Sequence, residues 1–186
     1  MPHERRVLIG GIGYPDLSDH SLAWDVVDVL STRDLGPHVR VEDISYNPIA
    51  VMQRLQDEPE AERFTRLVVV SAVERPGRAP GEMVAYRWDG TLPGADDVQR
   101  AVGDAVTGII DLDNTLVVLR QFGALPAETA VIEVQPLRES FGDVLTEPVA
   151  RALPAVCDLA VALASDESVW SRLPVGLLGG RIAGAS

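Results

Sequence analysis

Short runs of β-branched and leucine residues recur along this chain, separated by stretches in which apolar positions return every three or four residues. The runs at 6–9, 39–43, 66–72, 83–88 and 129–134 are too short for helices, and the most continuous have the pattern of strands covered on both faces. "RLVVVSA" at 66–72 is the clearest central strand, and 83–88 reads as an edge strand. Helical spacing is expected over 21–30, where Leu22, Val26, Val29 and Leu30 share a face and Ser18 or Asp19 can cap. Asn47 and Pro48 open a second helix over 48–56, as N-cap and first helical residue. Helices follow over 96–106 and 114–122, the latter closed by Gly123. Thr146 caps a long helix with Val149, Leu153, Val156, Ala160 and Leu163 on one face, and Pro154 predicts a kink or a fresh start within it.

Strands alternating with helices predict an α/β fold: a single domain over 1–165 with a mostly parallel central sheet and helices on both faces. The strands 6–9, 66–72 and 129–134 are expected side by side at its centre. The tail, 166–186, is read as loosely attached. In such sheets ligands bind beyond the carboxyl ends of the strands, which directs attention to the loops 11–20, 71–81 and 107–114.

Composition narrows the chemistry. The chain has 186 residues, 46% of them apolar, enough for one sizeable core. Its formal charge of −12 disfavours nucleic acid and anionic membrane as partners. All 16 positive charges are arginine, which excludes a Schiff-base lysine and a Walker-type phosphate loop. The single cysteine, Cys157, falls in an apolar helical stretch and reads as a core residue. No signal peptide or membrane-length apolar stretch is apparent, so a cytoplasmic protein is expected.

The loop after the first strand, "GIGYPDLSDH", starts like a dinucleotide fingerprint but places Asp16 where the third glycine belongs. A carboxylate there repels a pyrophosphate. The glycines are better read as residues that let the chain leave the strand in close packing, and the acidic loop as facing a cation or a basic peptide. Ser71 at a strand end lacks a G-x-S-x-G turn, and only His20 is placed to serve it as a base, which argues against a serine hydrolase.

Four segments in order then suggest a family. "VLIGGIGYPDLSDHSLA", "SAVERPGRAPG", "FGALPAETAVIEVQP" and the set Phe141, Gly142, Leu145, Thr146, Val149, Ala152, Leu153 and Pro154 resemble, at consistent spacing over 6–165, the hydrogenase maturation endopeptidases. That resemblance implies an endopeptidase acting on the C-terminal tail of a nickel-iron hydrogenase large subunit, with the nickel carried by the substrate. It implies three ligands for that nickel, whose positions fall here on His20, Ser71 and, without a gap, Gly108. A stretch the family reads as D-G-G-T-x-G stands here as "DISYNP", keeping only Asp43.

Serine is a poor nickel ligand and glycine offers no side chain. Three readings follow: a maturation protease, a non-catalytic protein that binds the large subunit or another protein tail, and a metal hydrolase with relocated ligands. The last requires His20, Asp16 and Asp111 to converge on a metal. Asp19, Asp43, Ser71, Glu74 and Asp113 are the candidate substrate-binding residues, with Asp111 and Asp113 otherwise read as caps of the helix that follows.

Overall fold

A computed structural model describes residues 5–182; His3 and the end of the tail, 183–186, lie outside them. Among the described residues one sheet forms from β1 (Val7–Ile12), β2 (Val39–Asp43), β3 (Arg66–Ala72), β4 (Met83–Trp88), β5 (Glu128–Val134), β6 (Val175–Leu177) and β7 (Arg181–Ile182). Their order is β2-β1-β3-β5-β4-β6-β7. The neighbours β2, β1, β3 and β5 are parallel, β4 runs antiparallel to β5, β6 lies parallel to β4 and β7 antiparallel to β6. The three strands expected at the centre are adjacent and parallel.

The alternation of side chains along these strands builds two cores. Val7, Ile9, Val68, Val70, Ala130 and Ile132 face one way, against α1 (Leu22–Ser31) and α5 (Glu147–Ser165). Leu8, Ile12, Leu67, Val69 and Val131 face the other way, against α2 (Pro48–Gln56) and α4 (Leu112–Gln121). Between β4 and α4 runs α3 (Ala95–Val106), in which only Ala105 is fully buried. The expected caps of α2 and α4 are present: Asn47 Oδ1 accepts from Ile49 N at 2.9 Å, and Gly123 follows α4 with φ +70°.

Three expectations are corrected, and of the two alternatives at Pro154 the fresh start is excluded. β4 is not an edge strand, because β6 pairs on its outer side. The segment after Ser165 is packed: α6 (Glu167–Arg172) buries Trp170, over which the guanidinium of Arg66 stacks at 3.7 Å. Arg66 is itself fully buried, bonded to Glu128 at 2.8 Å, to Glu167 at 3.0 Å and to the Leu163 carbonyl at 2.9 Å. That network fastens the tail to the sheet. The helix α5 runs through Pro154 without starting afresh. It also has the length and apolar composition of a membrane span, contrary to the expectation that no stretch does. Val149, Val156, Cys157, Ala160 and Leu163 nevertheless pack on the sheet, which makes it a core helix with one apolar face.

Candidate functional site

A cleft of about 1100 Å³ opens beyond the carboxyl ends of β1 and β3, where Ile12, Gly13, Ser71 and Ala72 reach it. Leu92, Asp97, Arg100 and Asp104 wall it from the α3 side, Ile109 to Asn114 from the start of α4, and Leu177 to Gly179 from the tail. Five of the sequence candidates meet there: His20, Ser71, Glu74, Asp111 and Asp113 line the cleft, whereas Asp16, Asp19 and Asp43 do not.

The glycines of the first loop act as expected. A Cβ on Gly13 would fall 2.4 Å from the His20 carbonyl oxygen and one on Gly11 2.8 Å from that of Ala23, so the loop can fold back onto the strand end only without side chains there. Asp43 supports the same turn. Its Oδ1 accepts from Ser45 N at 2.8 Å, and Ser45 Oγ accepts from Gly13 N at 2.9 Å.

Asp19 is neither a helix cap nor a substrate ligand. It is fully buried, and Oδ2 accepts from Leu137 N at 2.8 Å, Arg138 N at 3.0 Å and Thr146 Oγ1 at 2.9 Å, while Oδ1 accepts from Thr146 N at 2.7 Å. Burial acts to raise the pKa of this carboxyl, but the hydrogen bonds outweigh it and hold the pKa below the ordinary aspartate value. The carboxylate clamps the loop after β1 to the loop after β5. Thr146 consequently gives its hydroxyl to Asp19, not to the first turn of α5, where it makes no side-chain cap. Asp16 is exposed, with φ +59°.

The relocated-ligand arrangement does not assemble. Asp16 lies outside the cleft, and Asp111 is the N-cap of α4, its Oδ1 accepting from Asn114 N at 2.7 Å. Among the described residues no three His, Cys, Asp or Glu side chains group as metal ligands. His20 Nε2 stands 3.9 Å from Glu139 Oε2, and Ser71, 4% exposed, makes only a long 3.5 Å contact with the Ala72 carbonyl. Gly108 has φ +86°, in the left-handed region natural to glycine, and a Cβ there would meet nothing within 4 Å. Across this rim the Tyr14 hydroxyl donates to the Ile110 carbonyl, tying the loop after β1 to the loop before α4. Burial raises the Tyr14 pKa, which the bond to Ile110 opposes and the negative Asp111 and Glu139 reinforce.

The strongest polar network, which lies behind the cleft wall and reaches it through Arg75 and Arg78, is centred on a residue that was not among the sequence candidates. Glu133, on β5 and fully buried, accepts from Arg78 at 2.6 Å, from Arg75 at 2.8 Å and from the Tyr86 hydroxyl at 3.0 Å. Arg75 also grips Asp113 with two bonds of 2.8 and 2.6 Å. Burial opposes the charge on Arg75, but the bonds and charges of Asp113 and Glu133 prevail and raise its pKa. Arg78 and Tyr86 continue the network to the backbone of Gly179, at 2.9 and 3.1 Å, so the tail is fixed as a cleft wall. The available signal was a lone glutamate inside the apolar run "TAVIEV" and two arginines in the loop "VERPGRAPGE". A charge in a fully covered strand demands a partner.

Asp111 carries the clearest effect of carboxylate crowding. Burial raises its pKa above the ordinary aspartate value, the bond from Asn114 N opposes this, and the negative Asp113 and Asp104 add to the rise.

Comparison with known proteins agrees with this architecture. Neither a protein-family model nor a curated protein matches the chain. Among solved structures, the hydrogenase 2 maturation peptidase from Thaumarchaeota archaeon SCGC_AB-539-E09 is 24% identical with a TM-score of 0.60, over 87% of this chain and 99% of that one. The hydrogenase maturating endopeptidase HybD from E. coli is 20% identical with a TM-score of 0.63, over 87% and 94%. The [NiFe] hydrogenase maturation protease HybD from Thermococcus kodakarensis is 17% identical with a TM-score of 0.56, over 86% and 99%. The chain has the fold of the hydrogenase maturation endopeptidases.

Proposed function

We propose that this protein serves in hydrogenase maturation by binding the C-terminal tail of a nickel-iron hydrogenase large subunit in the cleft beyond β1 and β3, without cutting it. The likeness of fold supports the setting. The composition of the cleft supports binding over proteolysis, and one observation carries that choice: of the three ligand positions of the family, His20 and Ser71 reach the cleft, while the third falls on Gly108, which has no side chain. Nickel held in the substrate would meet one imidazole and a buried hydroxyl, too few good donors to orient it for hydrolysis. The donor set does not fit a metal-organised peptidase.

What remains is a groove with an acidic excess, suited to an extended basic segment. Mass spectrometry of the candidate large subunit, matured with and without this protein, tests the reading. The expected result is a subunit of unchanged mass that co-purifies with the protein. A subunit shortened only in its presence would restore the protease.

A further inference from the structure

We propose that the loop 136–145 is a docking surface for the folded body of the protein whose tail enters the cleft, with Leu137, Phe141 and Val144 as anchors for an apolar patch edged by basic residues. This rests on the tail-binding reading and adds the second half of the interface.

Phe141 is 91% exposed, Val144 70% and Leu137 55%, three large apolar side chains within eight residues that contribute little to the core. Such a cluster on one loop marks an interaction surface more often than isolated exposed residues do. The loop is also held in a set shape. Asp19 grips it at Leu137, Arg138 and Thr146. At its middle, Gly142 accepts from Ser18 N at 2.7 Å and donates to the Asp16 carbonyl at 2.8 Å, and Ser18 Oγ donates to the Val144 carbonyl at 3.1 Å.

Asp16 and Ser18 adopt φ of +59° and +48° on one side of this bridge, and Gly142 +149° on the other. Two non-glycine residues in the left-handed region are a cost that the bridge to the loop offsets. The result is a preorganised display of apolar side chains, which lose little freedom on binding.

Position and charge identify the occupant. Glu139, in the same loop, lines the cleft, whereas Phe141 does not. A tail that enters the cleft over this edge passes Glu139, and Phe141, two residues on, then faces the body that carries it. Exposed Asp16, Glu139 and Asp143 surround the anchors, with Arg138 the one cation in the loop, so the complementary surface is apolar with a basic rim.

The test uses Phe141→Ser/Val144→Ser in the full chain, at positions too exposed for the change to alter thermal unfolding. Two probes are titrated: an intact large subunit and a synthetic peptide of its tail alone. The variant is expected to bind the peptide as the wild type does and the large subunit at least tenfold more weakly. Equal binding of the large subunit by variant and wild type would overturn the docking surface and leave tail binding standing. Failure of the wild type to bind either probe would overturn both. A wild-type dimer that the substitution dissolves would assign the patch to a second copy of this chain and overturn the proposal.

Discussion

At the scale of single residues, Asp19 and His20 are sequence neighbours with opposite fates. One is sealed inside the fold as a clamp, the other borders the cleft. Asp19→Ala would leave the amides of Leu137, Arg138 and Thr146 buried without an acceptor, so unfolding stability should fall by roughly 3–5 kcal/mol, measured by urea titration. The pH dependence follows from the sign of its shift. A carboxyl with its pKa lowered in the folded state stabilises fully above the ordinary aspartate value and loses that contribution as pH falls through the lower, folded one. Asp19→Asn should therefore flatten the acid limb of the stability curve below about pH 4. An unchanged limb would remove the clamp from the account. For His20, with Ser71 and Gly108 at the other two ligand positions and no group of three metal-ligating side chains among the described residues, calorimetry at neutral pH should detect weak nickel binding or none. Tight stoichiometric binding abolished by His20→Ala would show a rebuilt site.

At the scale of elements, the periodicity was a reliable guide where local and tertiary demands coincide. The bounds of β2, α2, β3 and β4 are those the pattern predicts, because each carries its own punctuation, such as Asn47-Pro48 or the polar ends of "RLVVVSA". The tail misled for a physical reason. Its hold on the sheet comes from Trp170 under the Arg66 guanidinium and from β6 on β4, contacts between segments about a hundred residues apart that no local pattern encodes. The cleft was half legible in the same way. Loops at strand ends gave its place and five of its residues, but the partners of Glu133 lie on a loop and a neighbouring strand that only the folded sheet brings near. Trp170→Ala should thus cost about 3–5 kcal/mol of unfolding stability, as a buried aromatic does. A cost under about 0.5 kcal/mol, the usual range for a surface change, would return the tail to a loose attachment.

At the scale of the whole molecule, the cleft shares in the acidic excess that gives the chain its net charge of −12. Glu74, Asp97, Asp104, Asp111, Asp113 and Glu139 line it against Arg75, Arg78 and Arg100. Asp113 is held by Arg75, and Asp97 pairs with Arg100 at 2.9 Å, while Arg78 is committed to buried Glu133. Glu74, Asp104, Asp111 and Glu139 remain to attract a basic segment. Among the described residues Asp16, Asp19 and Asp43 take no part in lining it, so the acidic character belongs to the α3–α4 side more than to the loop after β1. Asp104→Asn/Asp111→Asn tests this while keeping a competent cap on α4, since asparagine caps as well as aspartate. Fluorescence titration with a basic peptide should show affinity about tenfold weaker for the variant at low salt, a difference of about 1.4 kcal/mol that closes as salt screens the charges. The pH dependence adds a second readout. Because the Asp111 pKa lies above the ordinary aspartate value, its charge is lost earlier as pH falls, and wild-type affinity should drop over that range while the variant changes less. Equal affinity in both proteins at low salt, or binding indifferent to salt, would mean that the peptide is held by the apolar wall of Leu92, Ile110 and Leu177, not by charge.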